Sequence, residues 1–140
     1  MKKYLYQRVM IIDDNKLDRY ISSTTIKRDS FAEEITEFNS AVSALKHLIS
    51  IVDLPNAFPQ VIFLDINMPV MDGFGFLDNY MNTPEFVQKK CNIIMISSTN
   101  THEDFEKINT YSPVCIFFQK PLSQRILFSI RNNLKDNVAI

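Results

Sequence analysis

Apolar residues fall into five short runs along the chain, separated by stretches in which they recur every three or four positions. Four of the runs are unbroken: VMII at 9–12, VIFL at 61–64, IIMI at 93–96 and VCIFF at 114–118. An unbroken run of this length suits a strand covered on both faces, as in a parallel sheet. The remaining run, EITEF at 34–38, alternates and fits an edge strand. The intervening stretches read as amphipathic helices. Leu17, Ile21, Thr24 and Thr25 make one face of the first. The second opens at the capping pair Asn39-Ser40 and repeats Ala41, Ala44, Leu45, Leu48, Ile49 and Val52. The third runs from about Phe74 through Phe76, Leu77, Tyr80 and Met81 towards Pro84. The fourth starts with the capping-box-like Thr101-His102-Glu103-Asp104, followed by Phe105 and Ile108. The fifth starts near Ser123 and repeats Ile126, Leu127, Ile130 and Leu134.

Strict alternation of strand and helix predicts an α/β fold, an open parallel sheet with helices on both faces. The 140 residues suit one domain, with no internal repeat or linker. A net charge of -1 gives no bulk attraction to nucleic acid or an anionic membrane, and no basic stripe accompanies the phenylalanines. Cys91 and Cys115 form no metal or redox motif and read as packed, reduced thiols. Two N-terminal lysines precede an apolar run too short for a signal peptide, and no run reaches membrane-spanning length, so the expected compartment is the cytoplasm.

The candidate chemistry sits at the ends of these runs. The first ends in Asp13-Asp14, the third in Asp65, the fourth in Ser97-Ser98 and the fifth in Gln119-Lys120-Pro121. In open α/β sheets ligands bind beyond the carboxyl ends of the strands. The topology therefore gathers three carboxylates, two hydroxyls and an ammonium at one edge. Two like charges about 4 Å apart, at an effective dielectric near 20, repel by roughly 4 kcal/mol. A cation should offset that repulsion; Lys120 offsets part, and a divalent ion with oxygen ligands offsets more. Asp65 could also act as a nucleophile, since carboxylates form aspartyl-phosphates. Taken singly, each acid reads equally as a solvated loop residue, and Asp14 as a cap of the first helix. Gly73, after Asp72, reads as a turn residue with positive φ.

Asp13-Asp14, Asp65 followed by Met68-Pro69 and Asp72-Gly73, Ser97, and Lys120-Pro121 together resemble the receiver domain of bacterial two-component response regulators, the CheY-like family. The resemblance runs from about Arg8 to Leu134. It implies a (βα)5 doubly wound five-stranded parallel sheet of the flavodoxin/CheY-like type, strand order 2-1-3-4-5. The receiver domain would occupy 8–135, with 1–7 and 136–140 as terminal extensions and no output domain. Asp65 is then the phospho-acceptor. Asp13, Asp14, Asp65 and the backbone carbonyl of Asn67 hold Mg²⁺, for which Mn²⁺ can substitute. Ser97 is the switch hydroxyl, Lys120 pairs with a phosphoryl oxygen, and the Lys120–Pro121 bond is cis. Phe117 is the aromatic whose rotamer tracks the switch, although a strand phenylalanine also reads as simple core. The chain departs from the family in having Ser98 where alanine or glycine is frequent, Phe117 without a tyrosine hydroxyl, Ser97 for threonine, and no glycine in Tyr111-Ser112-Pro113.

The implied function is a phosphorylation-dependent switch, not an enzyme, beyond taking phosphoryl groups from phosphodonors and losing them again. Its donor would be a sensor histidine kinase or a histidine phosphotransfer protein. Its output would be contact with a downstream protein or a homodimer through the fourth helix, fifth strand and fifth helix, with no nucleic acid or membrane involved. Two rivals stand beside it. One is a receiver-like binding module that works without phosphorylation. The other is a phosphatase with an aspartyl nucleophile of the haloacid-dehalogenase type, which wants a second acid two residues on, where this chain has Asn67.

Overall fold

Residues 3–99 and 101–134 are described in a computed structural model, Cys115 by its backbone alone. In chain order the elements are β1 (Tyr6–Ile12), α1 (Lys16–Arg28), β2 (Ala32–Phe38), α2 (Ala41–Ser50), β3 (Val61–Asp65), α3 (Gly73–Tyr80), α4 (Glu85–Gln88), β4 (Asn92–Ser97), α5 (His102–Ile108), β5 (Val114–Gln119) and α6 (Gln124–Asn133). All strand pairs are parallel, in the order β2-β1-β3-β4-β5. This is the expected doubly wound sheet.

The unbroken apolar runs are explained by the two faces they serve. Met10, Ile12, Ile62, Leu64, Ile93 and Met95 pack with α2, α3, α4 and Ile108 of α5. Their neighbours Val9, Ile11, Val61, Phe63, Ile94 and Ile96 pack with Ile26 of α1 and with Leu127, Ile130 and Leu134 at α6. Successive strand side chains point to opposite faces, so a strand buried on both sides has no polar position to spare.

Several boundaries differ from the sequence reading. β1 starts at Tyr6, within the expected terminal extension, because Tyr6 is buried and pairs with Ala32. The third helical pattern forms α3, which stops at Tyr80 ahead of Pro84 as expected, but Pro84 then opens a further single turn, α4, which the pattern did not include. Proline supplies no N–H, which costs nothing at a helix start. α1 seats a different face from the one expected. Leu17 is 65% exposed, and Ser22, Ser23 and Ile26 are buried instead. The alternating β2 is an edge strand as expected; β5, despite its unbroken run, is the other edge, and Ile116, Phe117 and Phe118 are only half-buried.

Helix starts obey the local chemistry. Ser40, Thr101 and Ser123 cap α2, α5 and α6, each side-chain oxygen accepting from the N–H three residues on. α1 is capped by Asn15, whose Oδ1 accepts from Asp18 N at 2.9 Å. Asp14 is thereby released from capping.

Candidate functional site

The carboxyl ends of β1, β3, β4 and β5 converge. Asp13 and Asp65 continue buried strands and are each 5% exposed, whereas Asp14 faces solvent. One carboxylate oxygen from each of Asp13, Asp14 and Asp65 lies within 4.8 Å of the others. Three hard oxygen donors at that spacing fit a Mg²⁺-sized ion that keeps part of its water shell. Asp13 is fixed on both sides. Its N–H donates to Phe38 O at 3.1 Å, its Oδ1 accepts from Asn15 N at 2.9 Å, and its carbonyl accepts from Arg19 Nη1 at 2.7 Å. Arg19 in turn pairs with Glu37 at 3.7 Å.

Lys120 reaches into this cluster from the end of β5. Its Nζ lies 2.7 Å from Asp13 Oδ2, 2.8 Å from Asp18 Oδ2 and 3.4 Å from Asp65 Oδ1. Its backbone N–H donates to Ser97 O at 2.8 Å, joining the ends of β4 and β5, and its bond to Pro121 is cis, as the family resemblance implied. Burial alone would lower the lysine pKa. Hydrogen bonds to Asp13 and Asp18, with the charges of Asp13 and Asp65, outweigh burial and hold it above its usual value. The Asp65 carboxyl moves the other way. Burial first, then the Asp13 charge, push it up to about 6, against the pull of Lys120.

Ser97 is fully buried. Its Oγ accepts from Thr99 N at 3.2 Å and lies 3.3 Å from Thr99 Oγ1, and Asn67 Nδ2 approaches it at 3.5 Å. Ser98 is exposed, and its carbonyl faces Gln119 Nε2 at 3.4 Å. Pro121 is exposed, and half-buried Phe117 packs on the core cluster beneath α2 to α5. The loop after Asp65 is tightly closed: Met71 N–H donates to Pro69 O at 2.8 Å around Val70, and Gly73 N–H to Ile66 O at 2.7 Å. The positive φ in this loop belongs to Val70, at 70°, and not to Gly73 as its sequence context suggested. Gly73 is needed for close approach instead, since a Cβ there would stand 2.6 Å from Asp65 O and 2.9 Å from Ile66 Cα.

A family profile described as "Response regulator receiver domain" matches residues 9–130. The chain belongs to the response regulator receiver family. Among solved structures, this receiver domain is similar to a two-component response regulator from Cytophaga hutchinsonii, with TM-score 0.87 and 24% identity, covering 96% of this chain and 99% of that one. It is also similar to a response regulator receiver protein from Dyadobacter fermentans, with TM-score 0.79 and 28% identity over 90% and 95% of the two chains. Among curated proteins it is 33% identical over 91 residues to a protein-glutamate methylesterase/protein-glutamine glutaminase of Xanthomonas oryzae, covering 65% of this chain and 22% of that protein. The receiver domain thus spans less than a quarter of that relative's length. The fold and family make it a signalling domain of the two-component type, in a family that binds Mg²⁺ at an acidic pocket. Among the described residues no helix is long and apolar enough to cross a membrane.

Asp18, Arg19 and Thr99 do not stand out in the sequence. Asp18 is placed by the first turn of α1 beside the strand end that carries Asp13-Asp14, but its pairing with Lys120 appears only once β5 is in place. Arg19 and Thr99 act through backbone and hydroxyl contacts that no spacing reveals.

Proposed function

We propose that this receiver domain accepts a phosphoryl group on Asp65 from a phosphohistidine and signals by a change of surface. The observation that carries the proposal is the setting of Asp65: a buried carboxylate at a strand end, with Lys120 beside it and the Asp13–Asp14 pair in reach. In the transfer an Asp65 carboxylate oxygen forms the new O–P bond while the donor's P–N bond breaks and its electron pair leaves with the imidazole. Asp13, Asp14, Asp65 and the Asn67 carbonyl would hold Mg²⁺, which when bound supplies positive charge for the transferred oxygens. Lys120 adds a second positive charge from the carboxyl end of β5. The Ser97 hydroxyl would donate to a phosphoryl oxygen once it releases its Thr99 contacts. The same displacement would reach Phe117 through β4 and β5, and alter the face of α5, β5 and α6.

That face suits protein contact. It carries the half-buried edge strand β5, and Phe105 and Phe128 are 51% and 66% exposed. On α1, next to Asn15, Leu17 and Tyr20 are 65% and 67% exposed and offer an apolar patch for a phosphodonor protein. An aspartyl-nucleophile phosphatase is less well supported. Asn67, two residues after Asp65, cannot serve as the proton donor which that chemistry requires.

Beryllofluoride, which occupies an aspartate as a phosphoryl mimic, tests the switch directly. With Mg²⁺ present, ¹⁵N-labelled protein should show amide shift changes at Asp65, Ser97, Thr99 and Phe117 and along α5. Asp65→Asn protein should show none. Changes confined to the residues around Asp13 and Asp65 would contradict the proposed spread to the output face.

A further inference from the structure

The Lys120 ammonium is shared unevenly among three carboxylates. Its distances to Asp13 and Asp18, 2.7 and 2.8 Å, are those of charge-assisted hydrogen bonds, whereas the 3.4 Å to Asp65 is longer than such a bond. Asp13 and Asp65 end β1 and β3, but Asp18 belongs to the first turn of α1, where its N–H is tied to Asn15 Oδ1. Its position is therefore set by the helix and not by the sheet. It also stands outside the acid trio whose oxygens cluster at the candidate metal site.

We infer that Asp18 is a positioning residue that holds the Lys120 ammonium off Asp65 and so sets how readily Lys120 engages a phosphoryl group there. The inference rests on the reading of Asp65 as the acceptor. An ammonium has three protons, and in the resting geometry its two short contacts are both made away from Asp65. A phosphoryl oxygen on Asp65 needs one of those protons at about 2.7–2.9 Å. Asp13 belongs to the set that would hold a divalent ion, so its carboxylate is not free to keep Lys120 once that ion is bound. Asp18 remains available and competes with the phosphoryl group for the same charge. A group that binds one of two lysine positions more strongly shifts the population towards it. Removing the Asp18 charge should therefore move Lys120 towards Asp65 and favour the phosphorylated arrangement.

The test compares wild type, Asp18→Asn, Asp18→Glu, Lys120→Gln and the Asp18→Asn/Lys120→Gln double variant. Adduct formation from acetyl phosphate at saturating Mg²⁺ is monitored by intact mass. Mg²⁺ affinity is measured separately by calorimetry without phosphodonor. Asp18→Asn should form the adduct faster, on the order of three- to tenfold, an effect that vanishes in the Lys120→Gln background if it acts through the lysine. Asp18→Glu, which keeps the charge, should stay near wild type. Mg²⁺ should bind Asp18→Asn more weakly, because a nearby negative charge is gone and Lys120 leans further onto Asp13 and Asp65. Opposite signs for the two readouts mark a repositioned lysine, since general damage to the site would depress both. A wild-type adduct with an unchanged or slower Asp18→Asn rate overturns the inference alone, as does an acceleration that persists without Lys120. Absence of any adduct on wild type, both from acetyl phosphate and from a phosphorylated histidine phosphotransfer protein, overturns the acceptor reading and this inference with it.

Discussion

Asp65 has to be buried to end a strand in the middle of the sheet, and that burial is what unsettles its charge. Its carboxyl is raised from 3.8 to about 6 by burial first and by Asp13 next. The raised value has a definite sign for stability. Below about pH 4 the acid is neutral in both folded and unfolded chains, and it costs nothing. As pH climbs from about 4 to 6 the unfolded chain ionises freely and the folded one does so reluctantly, so this group's contribution to folding stability falls. Above about 6 the full cost is present. Without divalent ions, Asp65→Asn should therefore stabilise the fold at pH 7 by about 1–2 kcal/mol, after allowing for solvent screening in an open crevice. Urea unfolding in a chelator measures this gain, which should shrink towards zero near pH 4. A variant less stable than wild type at pH 7 would show that Lys120 already compensates the charge. The acids and Lys120 were legible because strand ends announce themselves as breaks in apolar runs. Asp18 was not, because its role depends on where the lysine side chain turns once the strands are assembled.

At the scale of elements, the β3–α3 loop joins the acceptor to the rest of the domain. Val70 is fully exposed and holds φ at 70° within a turn closed by Met71 N–H on Pro69 O. A β-branched residue is strained there. Val70→Gly should gain about 1 kcal/mol of stability in thermal or urea unfolding. A loss would mean that the turn is not under strain. Gly73→Ala should do the reverse. Its Cβ meets Met95 Cε, which can give way, but also the Asp65 carbonyl and the Ile66 backbone, which cannot swing aside, so a loss on the order of 1–3 kcal/mol is expected, together with displacement of Asp65. Unchanged stability in Gly73→Ala would show that the loop can retreat. Helix starts were readable residue by residue from Ser40, Thr101 and Ser123. The seat of α1 was not, because Leu17 and Ile21 pattern as an apolar face while the sheet takes the smaller Ser22 and Ser23 beside Ile26. Likewise, the unbroken run of β5 marks a strand well but says nothing of its place at the edge of the sheet.

For the whole molecule, the order 2-1-3-4-5 puts the ends of β1 and β3 side by side and so makes neighbours of acids 52 residues apart in sequence, Asp13 and Asp65. Asp13, Asp18 and Asp65 share the Lys120 ammonium while Asp14 adds a fourth carboxylate beside Asp13 and Asp65, an excess of negative charge that favours a divalent cation. Binding to the folded state alone stabilises it, by about 2.7 kcal/mol at 100 times the dissociation constant. Mg²⁺ should therefore raise the thermal unfolding midpoint of wild type, and Asp14→Asn, an exposed position whose loss leaves the core untouched, should lose most of that rise. An equal rise in both would remove Asp14 from the metal set. The central claim is that Asp65 is a phosphoryl acceptor, and intact-mass spectrometry after incubation with acetyl phosphate and Mg²⁺ addresses it most directly. A single phosphoryl adduct on wild type, absent from Asp65→Asn and from a chelated sample, is the expected result. A folded wild type that takes no adduct, from acetyl phosphate or from a phosphorylated histidine phosphotransfer protein, would contradict it and favour a receiver-like module that works without phosphorylation.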